Sequence, residues 1–560
     1  MTAAKPAPPP RRLLAITSRA SDFVELAELT IELARRGHTL RLLHVYPETA
    51  RAYHESTFEA IARLKERHPE IETSIVQVES IGAPRSIAAE QEAARAAKAA
   101  KAAAKAAARA KKAPWRQRIL NGLLIFGASA RKHLMRSPIY MRIPERTRAR
   151  IDSAVVELVR LFTFVLYPGI LPARAARRVA PQALKHIAMT IPMVRYYKRF
   201  HVFFIGEIRA HRIEGLLLPE DVAGYTWPLA IKAGHDCGIP SFVFPYTLAN
   251  RTEPIQSLRN EPLFQTKSNP VVAKLFPKWR YRAEGIDIVR MPFEHIYAHE
   301  FLRVAPPDPW TMNSGYANRI CVDSRASYDY FRDAGVPESK MEVTGSASQD
   351  RMHALKVRKA QTLAEVRRDL GLRGEKPLLL VSGCPEQLAG PVPACEFTTM
   401  AEIGAFVGET LRPLGEHYHL VVRPHPNYPQ FGAMLEPWGF ANTAVPTADL
   451  VPLADLFVAF ASSTIRWAIS SAVPTVNYDV FHYGYGDFAA AGGVLSVQGK
   501  DDFRAATATL VPSSAAYADL AARIGADSAR WSMMDGHCVD RIEASIQREC
   551  AHRPASRTSH

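Results

Sequence analysis

Two short stretches place chemistry-bearing side chains at the ends of apolar runs. In "VVRPHPN", Val421 to Asn427, the run ends on Arg423 and His425, with Pro424 and Pro426 on either side of the histidine. Proline fixes its own φ and restricts the residue before it, so the imidazole is held in one direction at little ordering cost. A fixed imidazole with a guanidinium nearby suits a phosphate, donating hydrogen bonds and stabilising it as it leaves. The second stretch, "LFVAFASSTIRWAISSAVPTVNYD", puts Ser462, Ser463 and Thr464 between an apolar strand and a helix with Ile465, Ala468, Ile469 and Ala472 at helical spacing. A serine there is a natural N-cap, and the unpaired N–H groups and positive dipole end of the helix attract an anion. Each feature also has a plainer use, since strand-end histidines and single capping serines commonly serve structure alone.

Both stretches need a parallel sheet behind them, because ligands of such sheets bind beyond the carboxyl ends of the strands. The sequence supplies that pattern twice. "RLLAITSR" (12–19), an amphipathic "DFVELAELTIELARRG" (22–37) and "TLRLLHVYP" (39–47) predict strand, helix, strand, with Gly37 at the helix C-cap and a third strand at 72–80. The alternation resumes at "IEGLLLPED" (213–221) and runs to "MEVTGSASQD" (341–350). A second series follows: "KPLLLVSG" (376–383), "YHLVVRPHP" (418–426), "VPTVNYD" (473–479) and "GGVLSVQG" (492–499). The expected fold class is therefore α/β, with two Rossmann-like domains facing each other across a cleft. The first domain is expected at 1–84 and 200–345, an insertion at 85–199, the second domain at 346–515, C-terminal helices at 516–550 and a tail at 551–560.

Of the 560 residues, 47% are hydrophobic and 22% charged, which fits a globular protein of two or three domains. The net charge of +16 is concentrated: residues 85–199 carry 25 Lys and Arg against five Asp and Glu, a net of +20 that leaves −4 elsewhere. The first part of this insertion, 86–113, is an Ala/Lys helix whose cations at 95, 98, 101, 105, 109 and 112 form one stripe, as in a solvated spacer or an anion-binding face. The second part mixes bulky apolar residues with Arg and Lys, so residues 115–199 are expected either to lie on an anionic membrane surface or to form a helical subdomain with a basic face. No nucleic-acid motif accompanies the charge, which sets nucleic acid below both. Six scattered cysteines without metal spacing predict free thiols in a reducing compartment. The N-terminal apolar stretch is short for a signal peptide and no run approaches the ~18–20 apolar residues of a membrane span. A cytoplasmic protein, peripheral at the inner face of the plasma membrane, is expected.

Taken together, a His-Pro motif at one strand end and a Ser-Ser motif opening the helix of a later unit resemble bacterial surface-polysaccharide transferases of the GT-B fold. These include the polysialyltransferases, which use CMP-sialic acid. The CDP-glycerol glycerophosphotransferases of teichoic-acid synthesis are similar, with a strand like Pro474–Asp479 after the Ser-Ser helix. "MEVTGSASQD" is also similar to the inter-domain segment of UDP-N-acetylglucosamine 2-epimerases. The resemblance covers roughly 205–500.

It implies a metal-independent transferase with no cofactor, taking a CMP-, CDP- or UDP-activated sugar or polyol to a surface glycan or lipid-linked acceptor. His425, Ser462, Ser463 and Thr464 would meet the donor phosphates with help from Arg423. Gly383 and Glu386, in "SGCPEQ", would lie beside the nucleotide, and Asp479 would meet a hydroxyl of donor or acceptor. The acidic pair of the polysialyltransferase pattern has its nearest equivalent in Glu220-Asp221, where a carboxylate would take the acceptor's proton or merely cap the next helix. Arg466, Trp467 and Ala468 stand where many relatives carry a ribose-holding glutamate. Two other readings share the fold. One is a nucleotide-sugar 2-epimerase or hydrolase, which needs further acid/base groups such as Glu294, His295 and His299 in "RMPFEHIYAHEF"; the HxxxH spacing there is not HExxH, so no zinc site is expected. The other is a non-catalytic scaffold in polysaccharide assembly.

Overall fold

The computed structural model describes residues 9–47, 51–81, 181–248, 251–386, 388, 395–425, 428–484 and 486–551. The Ala/Lys segment and the basic insertion up to residue 180 lie outside the described residues. The chain divides into two compact units: Met1–Val78, His201–Asn260 and Pro306–His560 form one, Glu79–Phe200 and Glu261–Ala305 the other.

The first unit contains both large sheets. Its chain opens with β1 (Arg12–Thr17), β2 (Thr39–Tyr46), β3 (Glu72–Gln77), β4 (Gly215–Leu218) and β5 (Ser241–Val243). In the other unit, β6 (Arg280–Ala283) and β7 (Ile286–Val289) pair as an antiparallel hairpin. The first sheet is completed by β8 (Arg319–Val322) and β9 (Met341–Val343), giving the order β3-β2-β1-β4-β5-β8-β9 with every pair parallel. Leu13–Ile16 and Leu216–Leu218 are wholly buried, because the central strands of a parallel sheet are covered on both faces. That is why these segments read as continuous apolar runs and not as alternation.

The second sheet comprises β10 (Leu378–Ser382), β11 (His419–Arg423), β12 (Ala441–Asn442), β13 (Leu456–Ala459), β14 (Thr475–Tyr478) and β15 (Val494–Val497), in the order β12-β11-β10-β13-β14-β15, again all parallel. The expected α/β class with two Rossmann-like domains is thus the architecture found. In each sheet the strand order reverses once, between β1 and β4 in the first and between β10 and β13 in the second. These reversals open the crevices where parallel sheets take ligands.

The chain passes from one domain to the next at Gly345, whose φ of +79° disfavours any residue with a Cβ. A Cβ there would also run into Cys538. Ser346 and Gln349 then form a capping box on the helix Ala347–Val357. The last helix, Cys538–Ala551, packs back on the first domain: Val539, Ile542 and Ile546 share a core with Leu13, Ala15, Leu29 and Phe242. The helix Pro181–Ala210 runs across the insertion boundary expected near residue 200. All six cysteines are free thiols. Among the described residues, no helix is long and apolar enough to cross a membrane.

In the smaller unit, Tyr197 and His295 Nδ1 share a hydrogen bond of 2.8 Å, His299 Nδ1 donates to the His295 carbonyl at 2.8 Å, and Trp279 donates to Glu300 at 2.7 Å. Burial pushes both histidines down to about 4, so they are neutral packing groups. Among the described residues, Asp350, Asp535 and Cys538 come close enough to hold a metal, but Asp350 accepts the N–H groups of Cys538 and Val539, and Asp535 pairs with Arg541 at 2.8 Å.

Candidate functional site

At the reversal of the second sheet, β10 lies between β11 and β13, so the HP loop and the Ser-Ser turn flank its carboxyl end. With neighbouring strands ~4.8 Å apart, those two ends are about 10 Å from each other. Gly383 follows β10 and donates its N–H to the Arg423 carbonyl at 2.7 Å. A Cβ at Gly383 would lie 2.5 Å from Pro424 Cα and from the His425 nitrogen, so only glycine lets the HP loop cross here. The loop closes through the Tyr428 N–H, which donates to the His425 carbonyl at 2.9 Å. Glu386 is exposed beside it, and its charge adds to burial in raising the Tyr428 hydroxyl.

Arg423 is the unusual group. Its Nη1 donates to the Pro424 carbonyl at 2.6 Å, its Nε is buried without a partner, and no carboxylate pairs with it among the described residues. Burial lowers its pKa, as expected for a desolvated cation lacking a counter-charge. Burial, followed by the Arg423 charge, pushes His425 down to about 4, so its imidazole is neutral at physiological pH. A half-buried, uncompensated guanidinium beside a neutral imidazole favours an incoming anion.

The Ser-Ser turn corrects one expectation. The helix it opens is short, Ile465–Ser470, and its N-cap is Thr464, with no side-chain cap bond. Ser462 instead closes the turn, accepting the Thr464 N–H at 3.3 Å and bonding the Thr464 hydroxyl at 2.9 Å. The reason is Ala461, whose φ of +47° redirects the chain after β13 and delays the helix by two residues. The Ser463 hydroxyl has no partner among the described residues. Asp479, expected to meet a ligand hydroxyl, accepts from Tyr483 N–H (2.9 Å), Gly484 N–H (2.7 Å) and Gln498 Nε2 (2.8 Å) and so shapes the 479–484 turn.

In the first sheet the reversal lies between β1 and β4, and Glu220 and Arg19 sit there. Glu220 is 1% exposed, and both its oxygens are engaged: Arg19 Nη2 at 2.5 Å and the Thr247 hydroxyl at 2.7 Å. Arg19 Nε also meets Asp22 at 3.0 Å, and Asp22 accepts from Ser18 N–H and from Tyr246 at 2.7 Å. Desolvation raises Glu220 to about 7 despite the opposing guanidinium. Its neighbour Asp221 is separate. It accepts the Ala317 N–H at 3.0 Å, while its own N–H donates to Asn313 at 2.8 Å, so it fastens the 313–317 loop. Burial raises Asp221, with the backbone donors of Ala317 and Tyr316 opposing.

Arg466 joins the two crevices. It pairs with Asp323 at 3.0 Å, the two side chains being 3% and 5% exposed, and donates to the Pro245 carbonyl at 3.2 Å. Asp323 follows β8, and Pro245 is two residues before Thr247, the partner of Glu220. The helix carrying the Ser-Ser turn is thereby tied to the carboxyl ends of the first sheet. Sequence reasoning marked Arg466 as a departure from relatives but missed this partner, and it missed Arg19, Asp22 and Tyr246. The polar run "TSRASD" directly after an apolar strand was the available signal.

Four neutral histidines carry a pH prediction. His44 is held down to about 3, and His295, His299 and His425 to about 4, each mainly by burial. The unfolded chain takes up protons below ~6.5 that the folded chain refuses, so stability falls as pH drops from ~6.5 towards 4. Glu220 works oppositely: its contribution is complete below ~4.5 and is lost as pH rises through about 7. Burial raises Asp22, Glu25, Asp221 and Asp449 as well, so the histidine share is read by difference: urea midpoints taken from about pH 8 to about pH 4 should show a smaller acid-side loss in His425→Ala than in wild type.

No protein-family model matches the chain, and no curated protein matches it in sequence. Among solved structures it is similar to a putative UDP-N-acetylglucosamine 2-epimerase from Listeria monocytogenes, with 11% identity, a TM-score of 0.47, and 98% of this chain and 100% of the other covered. It is also similar to UDP-GlcNAc 2-epimerase from Neisseria meningitidis, bound to UDP-GlcNAc in that structure, with 10% identity, a TM-score of 0.46, and coverage of 96% and 100%. The wall teichoic acid polymerase TagF is similar over 64% of this chain and 76% of its own, with 13% identity and a TM-score of 0.39.

Proposed function

We propose that the chain is a glycosyltransferase-like enzyme that moves a sugar or polyol phosphate from a CMP-, CDP- or UDP-linked donor to a surface glycan or lipid-linked acceptor. The observation that carries this reading is Arg423, a half-buried guanidinium without a carboxylate partner among the described residues, set beside His425 at the reversal of the second sheet. The donor's phosphates would meet Arg423 and His425 on one side of Gly383 and the Ser463 hydroxyl on the other. The negative charge that grows as the nucleotide leaves is then met by groups already in place, which is how preorganised electrostatics lowers a barrier.

The acceptor's proton has a route into the first domain. Thr247 is partly exposed and donates to Glu220. An acceptor hydroxyl bonded to Thr247 Oγ1 would pass its proton to that oxygen as the threonine proton moves to Glu220 Oε1. A carboxylate raised to about 7 is a competent base for this step near neutral pH. The anionic membrane surface expected to hold the protein near a lipid-linked acceptor belongs to this proposal through the insertion, residues 115–199.

The burial of Glu220 favours a second reading, a non-catalytic scaffold that binds the nucleotide-sugar. Release of free nucleotide from CMP-, CDP- and UDP-linked donors, followed by chromatography, separates the two. Turnover of one donor supports the transferase; tight binding with no release favours the scaffold. A product sugar formed without any acceptor would instead indicate the epimerase or hydrolase chemistry of this fold.

A further inference from the structure

The crevice of the first domain presents an aromatic face that the chemistry above does not use. Tyr225 follows β4 by a few residues, after Gly224 at φ +97°, and the residue is 38% exposed. It stacks on the fully buried Trp227, with centroids 4.5 Å apart and planes 21° from parallel. The Arg19 guanidinium lies 4.9 Å from the Tyr225 centroid and 5.0 Å from that of Trp227. Three nearly equal separations place the guanidinium at the rim of the stack and not on its outer face. The inner face of Tyr225 is therefore covered by Trp227, which leaves the exposed part of the residue on the side away from it.

Arg19 is itself a prepared group. Its Nε and Nη2 are fixed by the buried carboxylates of Asp22 and Glu220, its side chain is 34% exposed, and its Nη1 has no partner among the described residues. A flat, exposed aromatic ring beside a rigid, planar donor is the combination that binds a pyranose. The ring's apolar C–H face lies on the negative face of the aromatic, and its hydroxyls take the guanidinium hydrogens. Two carboxylates already compensate Arg19, so a neutral hydroxyl suits Nη1 better than a further anion.

We propose that Tyr225 and Arg19 form a saccharide subsite, in which one pyranose ring of the acceptor stacks on Tyr225 and places a hydroxyl near Thr247 and Glu220. The identity of that ring as acceptor rests on the transferase reading; the subsite itself rests on the geometry of Tyr225, Trp227 and Arg19. The shared guanidinium keeps the two functions together, since Arg19 touches both the aromatic stack and the carboxylate that receives the proton.

The test is binding of the full-length protein to an array of pyranose oligosaccharides, neutral, amino-substituted and acidic, beside nucleotide binding measured separately. Wild type should retain at least one saccharide class. Tyr225→Ala should weaken it about tenfold or more, and Tyr225→Phe should keep it, because stacking needs the ring and not the hydroxyl. Arg19→Gln should weaken it similarly; should that variant fail to fold, the tyrosine pair at an exposed position still decides. Wild type that retains no saccharide, or Tyr225→Ala that binds as wild type does, overturns the subsite. Nucleotide binding through Arg423 and His425 is read independently, so its persistence in Tyr225→Ala separates failure of the subsite from failure of the transferase reading.

Discussion

Replacing Arg466 with methionine should cost about 3–5 kcal/mol of stability, a loss typical of one partner removed from a buried ion pair. Arg466 and Asp323 are both nearly inaccessible, and the guanidinium also serves the Pro245 carbonyl. Without it Asp323 retains the hydroxyls of Ser324 (3.1 Å) and Ser327 (2.5 Å) but no opposite charge. Glu25 is affected as well: burial raises its pKa, and the largest opposing influence is Arg466. The double variant Arg466→Met with Asp323→Asn should recover most of the loss, because it removes the stranded charge. Urea unfolding checks both, and an effect of the single change below ~0.5 kcal/mol would show that the pair does not hold the domains. Since the pair anchors the helix behind Ser463, hydrogen exchange should also quicken at 461–466 in both variants.

Arg423→Ala should weaken binding of the donor nucleotide about tenfold to a hundredfold while leaving the fold intact. A hydrogen bond to a charged group is worth roughly 1.5–3 kcal/mol, and losing it to a phosphate weakens affinity about tenfold to a hundredfold or more. Most buried charges cannot be removed without destabilising the protein. Arg423 should differ, because it is desolvated and has no counter-charge to strand, so the substitution should be neutral or mildly stabilising in the absence of ligand. This combination of lost binding with retained stability distinguishes a ligand-binding arginine from a structural one. Calorimetric titration and urea unfolding on the same variant measure both. A variant that unfolds more easily would assign Arg423 to the fold.

The strands of both sheets were legible because their burial is extreme. Leu13–Ile16, Leu216–Leu218 and Leu378–Val381 bury every side chain, and each leaves an uninterrupted apolar run bounded by polar residues. The crevice of the second domain was legible for a related reason: prolines and small polar residues at strand ends are local features. Relations between distant segments were not. Glu220 and Asp221 are adjacent in sequence, yet one faces Arg19 and the other a loop 92 residues further on. Arg466 looked like a departure from a ligand-binding pattern because its partners lie at 245 and 323, just past β5 and β8 of the other sheet. The capping serine was misplaced by two residues because nothing in "AFASST" announces a positive φ at Ala461. The last helix was assigned apart from the first domain since its packing against Leu13 and Phe242 joins the two ends of the chain.

On the proposed function, the HP loop and the Ser-Ser turn form one phosphate site for a nucleotide-activated donor. Its most direct test is thermal unfolding of wild type and His425→Ala with CMP, CDP, UDP, GDP and their sugar conjugates. A ligand at ~100 times its dissociation constant stabilises the native state by about 2.7 kcal/mol, a readable shift. One nucleotide class should raise the midpoint of wild type, and the same nucleotides should leave His425→Ala almost unmoved while its midpoint without ligand stays near that of wild type. Equal shifts in both proteins, or no shift of wild type by any nucleotide, would contradict it.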